Sequence, residues 1–103
     1  MAVLGNPFVG NAQGVSPDDL VQALRVDVIN EFEAVIGYEA HAMSTNDERV
    51  RKVLFHIADE ERQHIGELQQ LIALLCPKEG QAIDKGRNAV IQQQASNFQA
   101  PLQ

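Results

Sequence analysis

The chain has 103 residues, enough for one small domain, and a domain of this size buries only a modest share of its surface, so oligomerisation is expected. The hydrophobic fraction of 45% is typical of globular proteins, and no apolar run is long enough to span a membrane. The net charge of −6 argues against nucleic acid as a partner and favours cationic ligands. A single cysteine, Cys76, excludes an internal disulfide and a C-x-x-C metal site.

The start of the chain predicts an irregular arm that leads into a helix. Residues 1–15 are rich in Gly and Asn without periodicity, and they lack the basic and apolar regions of a signal peptide, which predicts a cytoplasmic protein. Ser16 can cap a helix whose first position is Pro17, and two aspartates follow that complement the helix dipole. The sequence therefore predicts a first helix from Ser16 to about Met43.

A second helix is expected from about Asn46 to Leu75. Thr45 and Glu48 have the spacing of a capping box, with Asn46 as the competing cap. Pro77 marks the end of this helix, because proline cannot continue a helical hydrogen-bond ladder. The two long helices should form one antiparallel hairpin.

The end of the chain predicts a shorter third helix and a polar tail. The helix is expected over about 81–94, although Gly86 weakens it, and 96–103 forms the tail. The domain thus covers 16–95. Its predicted fold class is all-α: an antiparallel two-helix hairpin plus a short C-terminal helix, dimerising into a four-helix bundle.

Each long helix carries an apolar stripe that is interrupted near its middle by metal-binding residue types. The stripes follow alternating steps of three and four residues. They are Leu20, Leu24, Val28, Glu31, Val35, Tyr38 and Ala42 in the first helix, and Val50, Leu54, Ile57, Glu61, His64, Leu68, Leu71 and Leu75 in the second. A carboxylate on such a stripe must be protonated, paired or bound to a cation, because burying it unpaired costs several kcal/mol.

The three polar interruptions should meet at one level of the hairpin. At about 1.5 Å per residue, Glu31 lies about 21 Å from the turn, and the midpoint of Glu61 and His64 lies about 25 Å from it. Glu61 and His64 form a Glu-x-x-His motif, which places a carboxylate and an imidazole one turn apart. Alternatively, the three residues are a buried polar cluster that only fixes helix register.

Glu31, Glu61 and His64 match half of the ligand set of a known class of metal site. Ferritin-like di-iron bundles use one Glu from each of two helices and one Glu-x-x-His from each of the other two. The chain supplies one of each, and a two-helix hairpin cannot enclose its own stripe. A homodimer about a two-fold axis would supply Glu31, Glu61 and His64 twice, which predicts a metal site in the subunit interface.

Weaker candidates surround these three residues. The Tyr38 hydroxyl is positioned to support a ligand carboxylate, or Tyr38 is an aromatic filler. His56 and Glu60 form a row beside the main stripe, which is either a weaker outer cation site or a solvated face; Glu33 is a further outer candidate that draws cations inward. Seven other charged residues are interpreted as ordinary surface: Glu39, Glu48, Arg49, Arg51, Lys52, Arg62 and Glu67.

The segments "NEFEAVIGYEA" and "HIADEERQHI" resemble the encapsulated ferritins, a branch of the ferritin-like superfamily with two main helices per chain. The resemblance covers the hairpin from Asn30 to about Leu75. It implies that Glu31, Glu61 and His64 are the ligands of a di-iron ferroxidase centre, so that the cofactor is Fe, and that Tyr38 supports them. It also maps outer cation sites to Asn30 with Glu33, and to His56, Glu60 and Gln63.

The resemblance implies partners and a location as well. Members of this family place the di-iron centre between two subunits, assemble dimers into a ring-shaped decamer, and pass oxidised iron to the interior of an encapsulin shell. The expected protein is therefore cytoplasmic, inside an encapsulin nanocompartment, and serves iron storage or detoxification.

Two other functions compete with a ferroxidase. A di-metal oxygenase or peroxidase would need a pocket for an organic substrate, for which a two-helix unit has little room. A non-enzymatic dimerisation module would need no metal at all. Metal content and iron turnover without an organic substrate distinguish the three.

Overall fold

The computed structural model describes residues 16–99, and within that range the chain forms three α-helices and no strand. Helix α1 spans Pro17–Ser44, α2 spans Glu48–Leu75 and α3 spans Pro77–Gln99. Helices α1 and α2 pack together along their length as a hairpin, and α3 packs against α2. The predicted all-α class and hairpin are confirmed. The predicted arm, and residues 100–103 of the predicted tail, lie outside the described residues.

The first helix begins as the sequence predicts. Ser16 is the N-cap, and its Oγ accepts a hydrogen bond from the backbone N–H of Asp19 at 3.2 Å. Pro17 occupies the first turn, where its missing N–H costs nothing. These contacts fix the start of α1 and therefore the height at which its residues meet α2.

The turn between the two long helices uses a different cap from the one predicted. Asp47, rather than Thr45 or Asn46, caps α2, and its Oδ1 accepts from the backbone N–H of Arg49 at 2.9 Å. A carboxylate is favoured at this position because it also complements the positive end of the helix dipole. Thr45 instead accepts a hydrogen bond from the backbone N–H of Asp47 at 3.2 Å.

Arg51 closes the other side of the turn. Its Nε donates to the carbonyl of Ala42 at 3.2 Å, and its Nη2 donates to the carbonyl of Thr45 at 2.6 Å. The last carbonyls of a helix have no partner within the helix. Arg51, expected to be plain surface, therefore caps the C-terminus of α1 from α2.

The third helix is longer than predicted, and it begins at Pro77. The proline that ends α2 also starts α3, because proline is well tolerated in the first turn of a helix. Two contacts attach the start of α3. Arg25 of α1 forms an ion pair with Glu79, and Gly80 lies so close to Ala73 that an added Cβ would stand 2.7 Å from the Ala73 Cβ.

The buried line of α2 is displaced by one position from the predicted stripe. Its buried residues are Ala58, Ile65 and Ile72, and they face an α1 line of Val21, Leu24, Val35 and Ala42. Three members of the predicted α2 stripe, Val50, Leu71 and Leu75, are exposed. One partner helix covers one face only, so the predicted stripe lies beside the hairpin contact rather than inside it.

The hairpin consequently leaves two apolar faces uncovered. We call the first the metal face: Val50, Glu61, His64, Leu71 and Leu75 of α2. We call the second the rear face: Ile29, Phe32, Ile36 and Met43 of α1, which recur at helical spacing and are all exposed. In the described range, none of the helices has a stretch long and apolar enough to cross a membrane.

Candidate metal centre

Three side chains from the two long helices converge at the middle of the hairpin. Glu31 comes from α1, and Glu61 and His64 stand one turn apart on α2. Each offers one ligand atom, and these atoms all lie within 4.8 Å of one another. His64 Nδ1 is 3.3 Å from Glu61 Oε2 and 3.5 Å from Glu31 Oε2. Across the part of the chain that the structure describes, this is the one group of three or more His, Cys, Asp or Glu residues with such geometry.

The group lies at the edge of the hairpin contact. The side chain of Glu61 is 18% exposed and that of Glu31 is 26% exposed, whereas His64 is 50% exposed. Burial thus decreases from the carboxylates to the imidazole, which stands on the metal face. The His64 side of the group is therefore accessible from outside the hairpin.

The pKa values of the three residues depend on one another. The pKa of Glu31 is raised, first because it hydrogen-bonds Glu61 and then because it is desolvated. The pKa of Glu61 is lowered mainly by the same bond to Glu31. The pKa of His64 is raised above its usual 6.5, chiefly by its hydrogen bond to Glu61, with further help from the charge of Glu31. Without a metal ion, protons take the place of positive charge between the two carboxylates.

The donor set fits a divalent transition metal. Two carboxylates and one imidazole suit iron or manganese and carry enough negative charge to bind a dication. Glu31 Oε2 is shielded from solvent and makes no well-formed hydrogen bond, so one buried acceptor is available to a cation. The three side chains of one copy provide three ligand atoms, which is too few to hold two ions.

The weaker candidates do not join this cluster. His56 and Glu60 form an exposed ion pair with 3.6 Å between Nε2 and Oε1. Glu33 is half-buried on α1, and the neighbouring Asn30 has a shielded Oδ1 that accepts no hydrogen bond. Tyr38 is half-buried two turns after Glu31. The supporting role of Tyr38 and the outer cation sites stay predictions.

Sequence reasoning missed one residue beside the centre. Arg62, interpreted as ordinary surface, donates from Nη2 to Glu39 of α1 and from Nη1 to Asp59 at 2.7 Å. The signal was present in the motif itself, because Arg62 lies between Glu61 and His64. An arginine next to two carboxylate ligands would be expected to pair with them, but Glu39 and Asp59 bind Arg62 instead.

Comparisons with known proteins agree with the fold, although no protein-family model matches the chain. The chain is 39% identical over 75 residues to a ferritin-like–encapsulin shell fusion protein of Pyrococcus furiosus; the match covers 72% of the chain and 22% of that relative, so the chain spans about a fifth of the fusion protein. It is 33% identical over 87 residues to the encapsulin nanocompartment cargo protein EncC of Myxococcus xanthus, covering 80% of the chain and 67% of EncC.

A solved structure extends this similarity to three dimensions. The crystal structure of the encapsulated ferritin domain from Pyrococcus furiosus aligns with a TM-score of 0.74 and 31% identity, over 87% of this chain and 93% of that domain. The sequence match and the structural match both span nearly the whole helical unit. The chain belongs to the encapsulated ferritin family.

Proposed function

We propose that the protein is a ferroxidase that oxidises Fe(II) to Fe(III) at a di-iron centre shared between two subunits. The observation that carries this proposal is the convergence of Glu31, Glu61 and His64 within 4.8 Å at an uncovered edge of the hairpin. Iron is the substrate here, and the product Fe(III) is retained for storage or detoxification. The ferritin-like names of the relatives support iron as the metal.

The incomplete ligand set supports a site completed by a second copy. Two copies related by a two-fold axis would bring two metal faces together and double the three ligands. The exposed leucines of the metal face would be buried by the same contact, at a gain of about 25 cal/mol per Å² of apolar surface. One interface would therefore satisfy both the apolar surface and the coordination of two ions.

The charge distribution of the hairpin favours the entry of Fe(II). Residues 26–48 contain no lysine or arginine, and Arg62 is the one such residue in 53–77. That residue is itself engaged by Glu39 and Asp59. The middle of the hairpin thus presents uncompensated negative charge, which raises the local concentration of cations.

Each ligand has a distinct role in the proposed chemistry. Glu31 would hold ferrous iron as the bridging carboxylate, Glu61 would be a terminal carboxylate ligand, and His64 would supply a nitrogen ligand. The anionic set favours Fe(III) over Fe(II), so it lowers the cost of removing an electron from each ion. The oxidant is dioxygen or a peroxide: with hydrogen peroxide, two Fe(II) and two protons give two Fe(III) and two waters.

The rear face supports assembly beyond a dimer. Ile29, Phe32, Ile36 and Met43 are exposed on α1, away from Glu31. A subunit with two different self-complementary faces can alternate them and close a ring. A ring-shaped decamer, as the family resemblance implies, would use both faces.

The relatives also suggest where the protein acts. One is named an encapsulin nanocompartment cargo protein, and another is a fusion with an encapsulin shell. We therefore propose an encapsulin shell as the partner and the inside of a nanocompartment as the location. Co-purification with a co-expressed encapsulin shell protein would test this part separately.

The central experiment follows iron oxidation. Metal-free protein is loaded anaerobically with Fe(II), air is admitted, and the absorbance of Fe(III) is recorded without any organic substrate. We expect rapid oxidation by the wild type and background rates for Glu31→Gln, Glu61→Gln and His64→Gln. His41→Gln and Glu48→Gln are matched controls, because both residues are exposed and lie outside the cluster.

The outcomes separate the competing functions. Wild-type rates in all three ligand variants would refute the ferroxidase assignment. Metal binding without iron turnover would favour a di-metal oxygenase or peroxidase that needs an organic substrate. Absence of any metal binding would leave a dimerisation module whose polar cluster fixes register.

A further inference from the structure

We propose that Arg62 is a positioning residue: its ion pair with Glu39 fixes the rotation of α2 about its own axis and so aims Glu61 and His64 at Glu31. This inference rests on the proposed metal function and adds to it a residue that binds no metal. The pair joins the two helices directly, since Arg62 belongs to α2 and Glu39 belongs to α1.

The ion pair and the metal centre lie on opposite edges of one contact. Ala58 and Ile65 are buried against α1. Each lies three or four residues from both Glu61 and Arg62, so the buried line runs between these two side chains. If α2 rotated so that the contact between Arg62 and Glu39 opened, Glu61 and His64 on the other edge would both move relative to Glu31.

The buried contact one turn before Arg62, at Ala58, gives little resistance to such a rotation, whereas the branched side chain of Ile65 packs about one turn after it. Helices lock against each other through ridges of side chains that fit into grooves. Ala58 projects only a methyl group, and it is completely buried. A close contact through a small side chain permits turning more readily than one through a branched residue.

Arg62 is well suited to hold the rotation. A guanidinium group presents its donors in a fixed plane, so two acceptors define its orientation. Here Glu39 anchors it to the other helix, and Asp59, one turn earlier, anchors it to its own helix. The hydrogen bond to Glu39 is also the first cause of the raised pKa of Arg62.

Stability alone does not account for the arrangement. Arg62 is 46% exposed and Glu39 is 32% exposed. Exposed ion pairs of this kind contribute little to the free energy of folding. The effect of removing the pair should therefore appear in metal geometry and affinity rather than in the fold.

The test uses Co(II), which binds carboxylate and imidazole sites, does not need to be oxidised, and has a visible spectrum sensitive to ligand geometry. Wild type, Arg62→Met and Glu39→Gln are titrated as full-length assembled protein, with circular dichroism and sedimentation recorded for each. We expect the Kd for Co(II) to rise by about 10- to 100-fold in both variants, the range seen when groups that orient metal ligands are lost. The Co(II) spectrum should change as well.

Three further variants separate positioning from a general effect of charge. Arg62→Lys should recover part of the affinity, because it restores the charge without the planar fork. The double variant Arg62→Met with Glu39→Gln should be no weaker than either single one, since both remove the same contact. Arg49→Met is the matched control, because Arg49 is also on α2 but pairs only with the neighbouring Asp47.

Two results with the variants, and one with the wild type, would overturn the inference. One is a wild-type Kd and spectrum in both Arg62→Met and Glu39→Gln; the other is a loss of helix content or assembly in both, which would make the pair merely structural. Absence of Co(II) binding by the wild type would also overturn it, as there would be nothing to position. If the wild type binds Co(II) but does not oxidise Fe(II), the ferroxidase proposal fails, and the Co(II) titrations still decide the role of Arg62.

Discussion

Glu31 and Glu61 come from different helices, and their hydrogen bond raises the pKa of Glu31 and lowers that of Glu61. Two carboxylates this close cannot both be charged without a compensating cation. His64 adds to this balance, because its raised pKa keeps it protonated to higher pH. A cation bound by these three residues would therefore compete with protons for the same side chains.

Metal binding should consequently release protons and weaken as the pH falls. Glu31 must lose its proton and His64 must be neutral before either can bind a metal. Both pKa values are raised, so each group keeps its proton to a higher pH than an unperturbed carboxyl or imidazole group would. Isothermal titration with Co(II) in buffers of different ionisation enthalpy should report proton release near pH 7 and a rising Kd at lower pH.

Two variants test the source of these protons. His64→Gln should bind more weakly and should also lose the part of the pH dependence that protonation of His64 causes. His41→Gln should leave the pH dependence unchanged, since His41 is exposed and outside the cluster. A Kd for Co(II) that does not change with pH in the wild type would contradict the prediction that metal binding displaces protons from Glu31 and His64.

The two uncovered faces should have separable roles. Leu71 lies two turns after His64 on the metal face, and Ile36 lies on the rear face. Leu71→Asp should give a folded subunit that neither pairs nor oxidises iron, although all its ligands remain, because a charge is too costly to bury in the interface. Ile36→Asp should stop assembly at a dimer that still oxidises iron. Sedimentation and the Fe(III) absorbance assay measure both effects.

The decisive comparison is between Leu71→Asp and Ile36→Asp in their assembly and their rates of iron oxidation. If Leu71→Asp assembled and oxidised iron like the wild type, the centre would not lie between metal faces. If both variants lost oxidation equally, the faces would not be independent.

The sequence predicted the convergence of three side chains better than it predicted the core of α2 or the contacts of long side chains. The spacing of Glu31, Glu61 and His64 predicted that these three side chains converge, as they do, because helix periodicity and the rise per residue depend only on the backbone. The same periodicity misplaced the core line of α2 by one position, since it does not distinguish a face that meets α1 from a face that meets another subunit. Contacts made by long side chains depend on tertiary placement, so the position of Arg62 within the motif did not by itself identify Glu39 as its partner.

Removal of the helix cap that Arg51 provides should lower the free energy of unfolding. Its hydrogen bonds to the carbonyls of Ala42 and Thr45 satisfy groups that α1 leaves unpaired. Arg51→Met should lower the free energy of unfolding of the metal-free protein by about 0.5–1.5 kcal/mol, the net contribution of a typical hydrogen bond, because its side chain is 34% exposed. Arg49→Met should change it by less, because Arg49 is highly exposed. Urea unfolding at one protein concentration compares them, and equal losses would argue against the cap.

Two glycines of α3 should respond in opposite directions to the same substitution. Gly80→Ala would place a Cβ 2.7 Å from the Cβ of Ala73 and 3.3 Å from its Cα. Neither of these atoms belongs to a flexible side chain, so α3 must move away from α2, at a cost of about 1–3 kcal/mol. Gly86 has nothing within 4 Å of an added Cβ, so Gly86→Ala should gain up to about 1 kcal/mol from helix propensity. Thermal unfolding of the metal-free protein measures both, and a Gly80→Ala variant as stable as Gly86→Ala would show that the start of α3 does not pack closely on α2.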